Sequence, residues 1–165
     1  ADQSDLSVNY LYNLTGKKHK PYIIVNTYKH EPFPVTWFNT KSPAPMKAEI
    51  RKLLEAGKRV LVLTDSQKEK SAYGTYNLEA EFKKDFPLLS ILRIDSKTLQ
   101  DPTQLAYGCL ANINLVLKPY PLVIPSPSCN TGASIELFDH YDAVFLIGKG
   151  SLDSLISPMR LGVAP

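Results

Sequence analysis

The chain has 165 residues, 44% of them hydrophobic and 21% charged, with a formal net charge of +3. That length suits one domain burying roughly two-thirds of its unfolded surface, and so small a charge excludes a domain-wide basic field around nucleic acid. Two cysteines without Cys-x-x-Cys spacing and three scattered histidines argue against a disulfide framework and against a zinc site.

In chain order, Asp5 to Leu14 has helical spacing at Leu6, Tyr10 and Leu14 and closes at Gly16, which predicts a short helix. Tyr22 to Asn26 and Pro34 to Phe38 read as two strands, joined through Tyr28 to Pro32 as a hairpin. After the break at Ser42-Pro43-Ala44-Pro45, where Ser42 is a candidate cap, Met46 to Ala56 places Ile50, Leu53 and Leu54 on one helical face and ends at Gly57. Arg59 to Thr64 is then apolar on both faces, the pattern of a buried parallel strand. A helix over Ala72 to Phe86, a strand over Leu88 to Ile94 and a helix over Gln104 to Val116 follow. A strand over Tyr120 to Ile124, a short helix over Ala133 to Leu137, a strand over Asp142 to Gly148 and a helix over Ser151 to Met159 complete the chain. Strands alternating with helices predict an α/β domain with a mainly parallel sheet and the hairpin at one edge.

In such a sheet, ligands bind outside the carboxyl ends of the strands. The four exits there read Thr64-Asp65-Ser66-Gln67, Asp95-Ser96-Lys97-Thr98, Ser126 to Gly132, and Gly148-Lys149-Gly150-Ser151. Each taken alone is an ordinary helix cap. Four on one rim make an anion site plausible, since backbone N–H groups, helix N-termini and hydroxyls all donate to phosphate oxygens. The chain contains neither Gly-x-x-x-x-Gly-Lys-[Ser/Thr] nor a Gly-x-Gly-x-x-Gly after a strand, so no complete nucleotide site is visible. Half a site is what the rim suggests.

Four stretches, GKRVLVLTDSQ, LRIDSKT, LVIPSPSCNTGASIE and YDAVFLIGKG, carry a resemblance over nearly the whole chain. In this order they are similar to the second RecA-like domain of superfamily 2 helicases. They resemble more closely the helicase-type segment of bacterial plasmid replication (origin-binding) proteins. The resemblance implies a three-layer RecA-like, P-loop NTPase-type domain over residues 21–165, preceded by an inter-domain connector and helix over 1–20. It implies that Thr64, Ser66 and Gln67 meet a single-stranded DNA backbone after the first strand, and that Ser96 and Thr98 do so after the second. Thr131-Gly132-Ala133-Ser134 would occupy the Thr-Gly element, which touches a phosphate and communicates with the nucleotide through Gly132. Arg160 would be the catalytic arginine reaching ATP, although Gly162 stands where a second arginine is expected. ATP and Mg²⁺ would be held by a first, N-terminal RecA-like domain outside this chain, so the parent would be an ATP-dependent helicase and this piece alone inactive.

Other readings remain open. A freestanding α/β enzyme acting on a nucleotide-sugar or a phosphorylated small substrate would use Asp65, Asp95 and Asn130, and a silent RecA-like module would only dock proteins. Asp65 and Asp95 are favoured as helix caps, Cys129 lacks a histidine partner for nucleophilic chemistry, and Tyr28, Trp37 and Phe38 are expected to cover the sheet edge. The lysine runs Lys17-Lys18-His19-Lys20 and Lys68-Glu69-Lys70 read as solvated faces. No apolar run approaches the roughly 18 residues of a membrane span, and Ala1 to Asp5 is too polar for a signal peptide, so a cytoplasmic location and no membrane partner are expected. Without an initial methionine, the chain is expected to be a piece of a longer protein.

Overall fold

The computed structural model describes residues 5–16, 34–40, 42–66, 68–126, 129 and 134–147. The chain divides into two compact units, Ala1–Pro34 and Val35–Pro165. The first holds helix α1, Asp5–Leu14, after which the Gly16 N–H donates to the Asn13 carbonyl at 3.0 Å.

The second unit contains α2 (Ala44–Glu55), β1 (Val60–Thr64), α3 (Thr75–Asp85), β2 (Ile91–Ile94) and α4 (Ser96–Gln100). A 3-10 turn at Cys109–Asn112, α5 (Ile113–Leu117), β3 (Leu122–Pro125) and β4 (Ala143–Ile147) follow. The four strands form one sheet in the order β2-β3-β1-β4, and every pairing in it is parallel. Register runs Val60 to Thr64 against Ala143 to Ile147, and Ile91 to Ile94 against Leu122 to Pro125.

Side-chain alternation along these strands feeds two cores. Val60, Val62, Leu122, Ile124, Phe145 and Ile147 pack with Ile50 of α2 and with Leu78 and Phe82 of α3. Leu61, Leu63, Leu92, Ile94 and Val123 pack on the opposite face with Ala106, Cys109, Ile113 and Leu117. The chain order explains the sorting. The step from β1 to β2 runs one way along the sheet and the steps to β3 and β4 run back, so right-handed crossovers put α3 and α5 on opposite faces. Each fully buried Leu, Ile or Phe contributes about 1.5–3 kcal/mol, and Leu61, Leu78, Phe82, Leu117 and Leu122 are among those with no exposed surface. The result is the expected α/β architecture, three layers with an all-parallel sheet at the centre, consistent with the RecA-like type.

Local chemistry fixes the helix ends. After α2 the Gly57 N–H bonds to the Leu54 carbonyl and the Lys58 N–H to the Leu53 carbonyl, a double closure that satisfies two carbonyls at the helix terminus. Ser42 does take part at the other end, accepting the Ala44 N–H at 3.2 Å. Between α2 and α3, Glu81 takes ion pairs from both Lys47 and Arg51, while Arg51 also reaches Asp85 at 2.7 Å. Burial pushes the Glu81 carboxyl up, but its bonds to Lys47 and Arg51 outweigh that and hold it below its ordinary pKa.

Several expected elements differ from those observed. Pro34 to Phe38 is not a strand: Val35 and Trp37 are exposed, and only Phe38 packs against the α2–α3 core. Proline lacks the N–H a ladder needs. The helix expected over Gln104 to Val116 is broken, because Gly108 sits at φ 67°, in the left-handed region, and separates a run of turns from the 3-10 turn and α5. Its core positions Ala106, Cys109, Ile113 and Leu117 repeat at helical spacing without a continuous helix beneath them. The described part of Ala133 to Leu137 is not helical: Ile135 is buried and Leu137 half-buried while Ser134 and Glu136 face out, a period of two. β2 starts later than Leu88, which is fully exposed, and α3 starts at Thr75. Tyr22 to Pro32, with its strand and turn, and the helix over Ser151 to Met159 lie outside the described residues.

Candidate nucleic-acid interface

Parallel pairing puts the carboxyl ends of all four strands on one edge of the sheet. Backbone bonds continue the ladder past the strand ends: the Asp65 N–H donates to Ile147 at 3.2 Å, and the Ser126 N–H donates to Ile94 at 2.8 Å. The β1, β2 and β3 exits therefore share a rim, and the β4 exit, residues 148–151, lies outside the described residues.

The β1 exit is folded tightly over the start of α3. The Thr64 hydroxyl, buried, donates to the Tyr73 carbonyl at 2.6 Å and receives the Ser66 N–H at 3.3 Å. The Thr75 N–H donates to the Ser66 carbonyl at 3.0 Å, and Asn77 Nδ2 bonds the carbonyls of Glu69 and Ser71. Gly74, the residue before α3, is required by a close approach: a Cβ there would lie 2.3 Å from the Lys68 carbonyl oxygen.

The β2 exit is a closed polar network. Asp95 is only 2% exposed. Its Oδ1 accepts the N–H groups of Lys97 and Thr98, and the Thr98 hydroxyl in turn accepts the Asp95 N–H at 2.9 Å, a reciprocal capping box. Asp95 Oδ2 takes the Thr75 hydroxyl at 2.6 Å and lies 3.1 Å from Arg93 Nε. Arg93 also pairs with Glu79 at 2.8 Å and lies over the Tyr76 ring. Outside this knot, Lys97 pairs with Glu69 at 2.5 Å; each bond to the other holds the lysine pKa up and the glutamate pKa down. Both groups face water, so that pair adds little stability.

The β3 exit is anchored differently. Cys129 is wholly buried, and its N–H donates to the Ser126 carbonyl at 3.1 Å. Burial, helped by Cys109 and Asp95, pushes its thiol up to about 12, so it is protonated at neutral pH and no nucleophile. Further on, Ile135 enters the α5-side core. Asn114 of α5 donates from Nδ2 to the Ser134 carbonyl at 3.2 Å and accepts the Glu136 N–H on Oδ1 at 2.7 Å.

The structure thus brings Thr64, Ser66, Ser96, Thr98 and Ser126 to the β1–β3 rim. Thr64 and Thr98 are buried, with their hydroxyls bonded inside the domain. Ser66 and Ser96 are half-buried, and Ser134 is exposed. Gln67, Asn130, Thr131, Gly132 and Arg160 lie outside the described residues. Asp95 is the cap it was favoured to be. Sequence reasoning missed Thr75, Glu79 and Asn114, whose partners lie 14 to 22 positions away with no local spacing to signal them, and Arg93, which joins distant Glu79 to Asp95 two residues on. Among the described residues, no group of three or more His, Cys, Asp or Glu side chains could hold a metal ion. Among those residues, too, no helix is long and apolar enough to cross a membrane.

Among curated proteins, the chain is similar to an uncharacterized protein of Picosynechococcus sp. (strain ATCC 27264 / PCC 7002 / PR-6), with 37% identity over 154 residues. The match covers 91% of the chain and spans 15% of the length of that protein. No family model matches the chain, and no solved structure matches it.

Proposed function

We propose that the chain is the second RecA-like domain of a replication helicase or helicase-like initiator. It binds the backbone of single-stranded DNA along its strand-end rim and closes on an ATP-binding first domain. One observation supports this more than any other: the exits of β1, β2 and β3, each rich in small polar groups, lie on the same edge of an all-parallel sheet. An edge of this kind presents backbone N–H groups and short hydroxyls to phosphates, which gives sequence-independent contact. Because the Thr64 and Thr98 hydroxyls are engaged internally, the backbone contacts fall to Ser66 and Ser134, with Ser96, Gln67, Thr131 and Gly132 as the resemblance assigns them. Arg160 completes the ATP site from this side, and the Mg²⁺–ATP itself belongs to the first domain. The work takes place in the cytoplasm. The small match to a much longer relative is in keeping with one module of a larger protein.

The test is a titration of the chain with single-stranded oligonucleotide at two salt concentrations. Binding should weaken with salt at a slope of about −0.7 for each phosphate neutralised, and Thr131→Ala should weaken it at both concentrations. No binding at low salt ends this reading. The isolated chain is expected not to hydrolyse ATP; turnover that co-purifies with it would point instead to a self-contained enzyme.

A further inference from the structure

We infer that Asn114 is a positioning residue for Ser134: its side-chain amide sets the backbone of residues 134–136 and so presents Ser134 to an anionic ligand. The inference rests on the phosphate-binding reading above. Three observations carry it. First, the two bonds of Asn114 go to the backbone atoms on either side of Ile135, the Ser134 carbonyl at 3.2 Å and the Glu136 N–H at 2.7 Å. The amide offers this backbone one donor and one acceptor, as a neighbouring strand would. One amide orientation alone offers a donor to the carbonyl and an acceptor to the N–H, so neither aspartate nor leucine of similar shape replaces it.

Second, the clamp is coupled to an apolar anchor. Ile135 is 2% exposed and packs in the same core as Ile113 and Leu117 of α5. The apolar contact fixes the depth of the segment and the amide fixes its register, so the outward direction of Ser134 is determined twice. Third, α5 has no need of asparagine for its own sake. Asparagine is a poor helix former, and the Asn114 side chain serves another segment, 20 residues on for one bond and 22 for the other.

The experiment uses the full chain and three variants, Asn114→Ala, Asn114→Asp and Asn114→Gln, with two readouts: amide hydrogen exchange at Glu136 and affinity for a single-stranded oligonucleotide at low salt. Asn114→Ala should speed exchange at Glu136 at least tenfold and leave Val62 and Ile124 in the sheet unchanged. Affinity should fall about three- to tenfold in the same variant. Asn114→Asp keeps the acceptor for the Glu136 N–H and should restore part of its protection without restoring affinity. Asn114→Gln keeps the amide one methylene further out and should fall between wild type and Asn114→Ala in affinity. Unchanged exchange at Glu136 in Asn114→Ala overturns the clamp. Faster exchange with unchanged affinity overturns the positioning role and leaves the functional reading standing, whereas a wild-type chain that binds no oligonucleotide overturns both.

Discussion

The β2 and β3 exits start from neighbouring strands and draw on the same small polar residue types, yet they are built to opposite plans. At the β2 exit Asp95, Thr98, Thr75 and Arg93 bond to one another, and Asp95 and Thr98 are buried. At the β3 exit the described residues are pinned at separate points, by Cys129 and Ile135 in the core and by Asn114 at the surface, and Ser134 is left facing out. The lesson is that a serine or threonine after a strand is no guide to binding until its partners are counted. The Thr98 hydroxyl accepts the Asp95 N–H and turns its own proton to the carbonyls of Arg93 and Asp95, so it has nothing left to offer; the exposed Ser134 is held through its backbone carbonyl.

The comparison can be broken by mutation, and the effects should rank. Asp95→Ala should cost the most, about 3 kcal/mol, since it strips a buried carboxylate from Arg93 and leaves two helix N–H groups and the Thr75 hydroxyl unmatched; denaturant unfolding measures it, and a loss below about 1 kcal/mol would mean the knot is not structural. Next comes the alkaline limb. Cys129 has its pKa raised by burial from 9.0 to about 12 in the folded chain, so the unfolded state loses its proton first and stability falls as pH rises from about 9. Its slope contribution is about 1.4 kcal/mol per pH unit, and Cys129→Ala should make the limb shallower, with the buried Cys109 and Tyr141, both also pushed up by burial, retaining the rest. Thr98→Val should cost about 1–2 kcal/mol through the unmatched Asp95 N–H. The smallest change in stability, within about 0.5 kcal/mol, belongs to Ser134→Ala. That variant alone of these should bind oligonucleotide less tightly at unchanged unfolding midpoint, and equal losses of affinity from Thr98→Val and Ser134→Ala would erase the distinction between the two exits.

The fold was legible wherever hydrophobic pattern and local breaks agreed. β1, with all five residues buried, and α2, with its apolar stripe and Gly57, needed no tertiary information. Two helices were misread because periodicity reports which residues face a core, not how the backbone gets them there. Ala106, Cys109, Ile113 and Leu117 keep helical spacing across a left-handed Gly108, and Ile135 with Leu137 shows a two-residue alternation too short to outweigh a helical guess. At the rim, the carboxylate of Asp95 was readable as a cap because its partners follow it directly. The Thr75 and Asn114 contacts were not, since they join segments that only the folded sheet brings together.

One consequence of the strand order concerns how the chain assembles. β1 is flanked by β3 and β4, both later in sequence, so it has no neighbour in the sheet until residue 122 exists. As the polypeptide leaves the ribosome, this fully buried strand waits for more than fifty further residues before it can pair. β1 and β2 both wait for β3, which pairs with each of them, and β4 then covers the other side of β1. Such distant pairings make maturation slow and leave a sticky ribbon open to other chains in the interval. Nascent chains stalled before residue 122 should therefore be the species that chaperones hold longest.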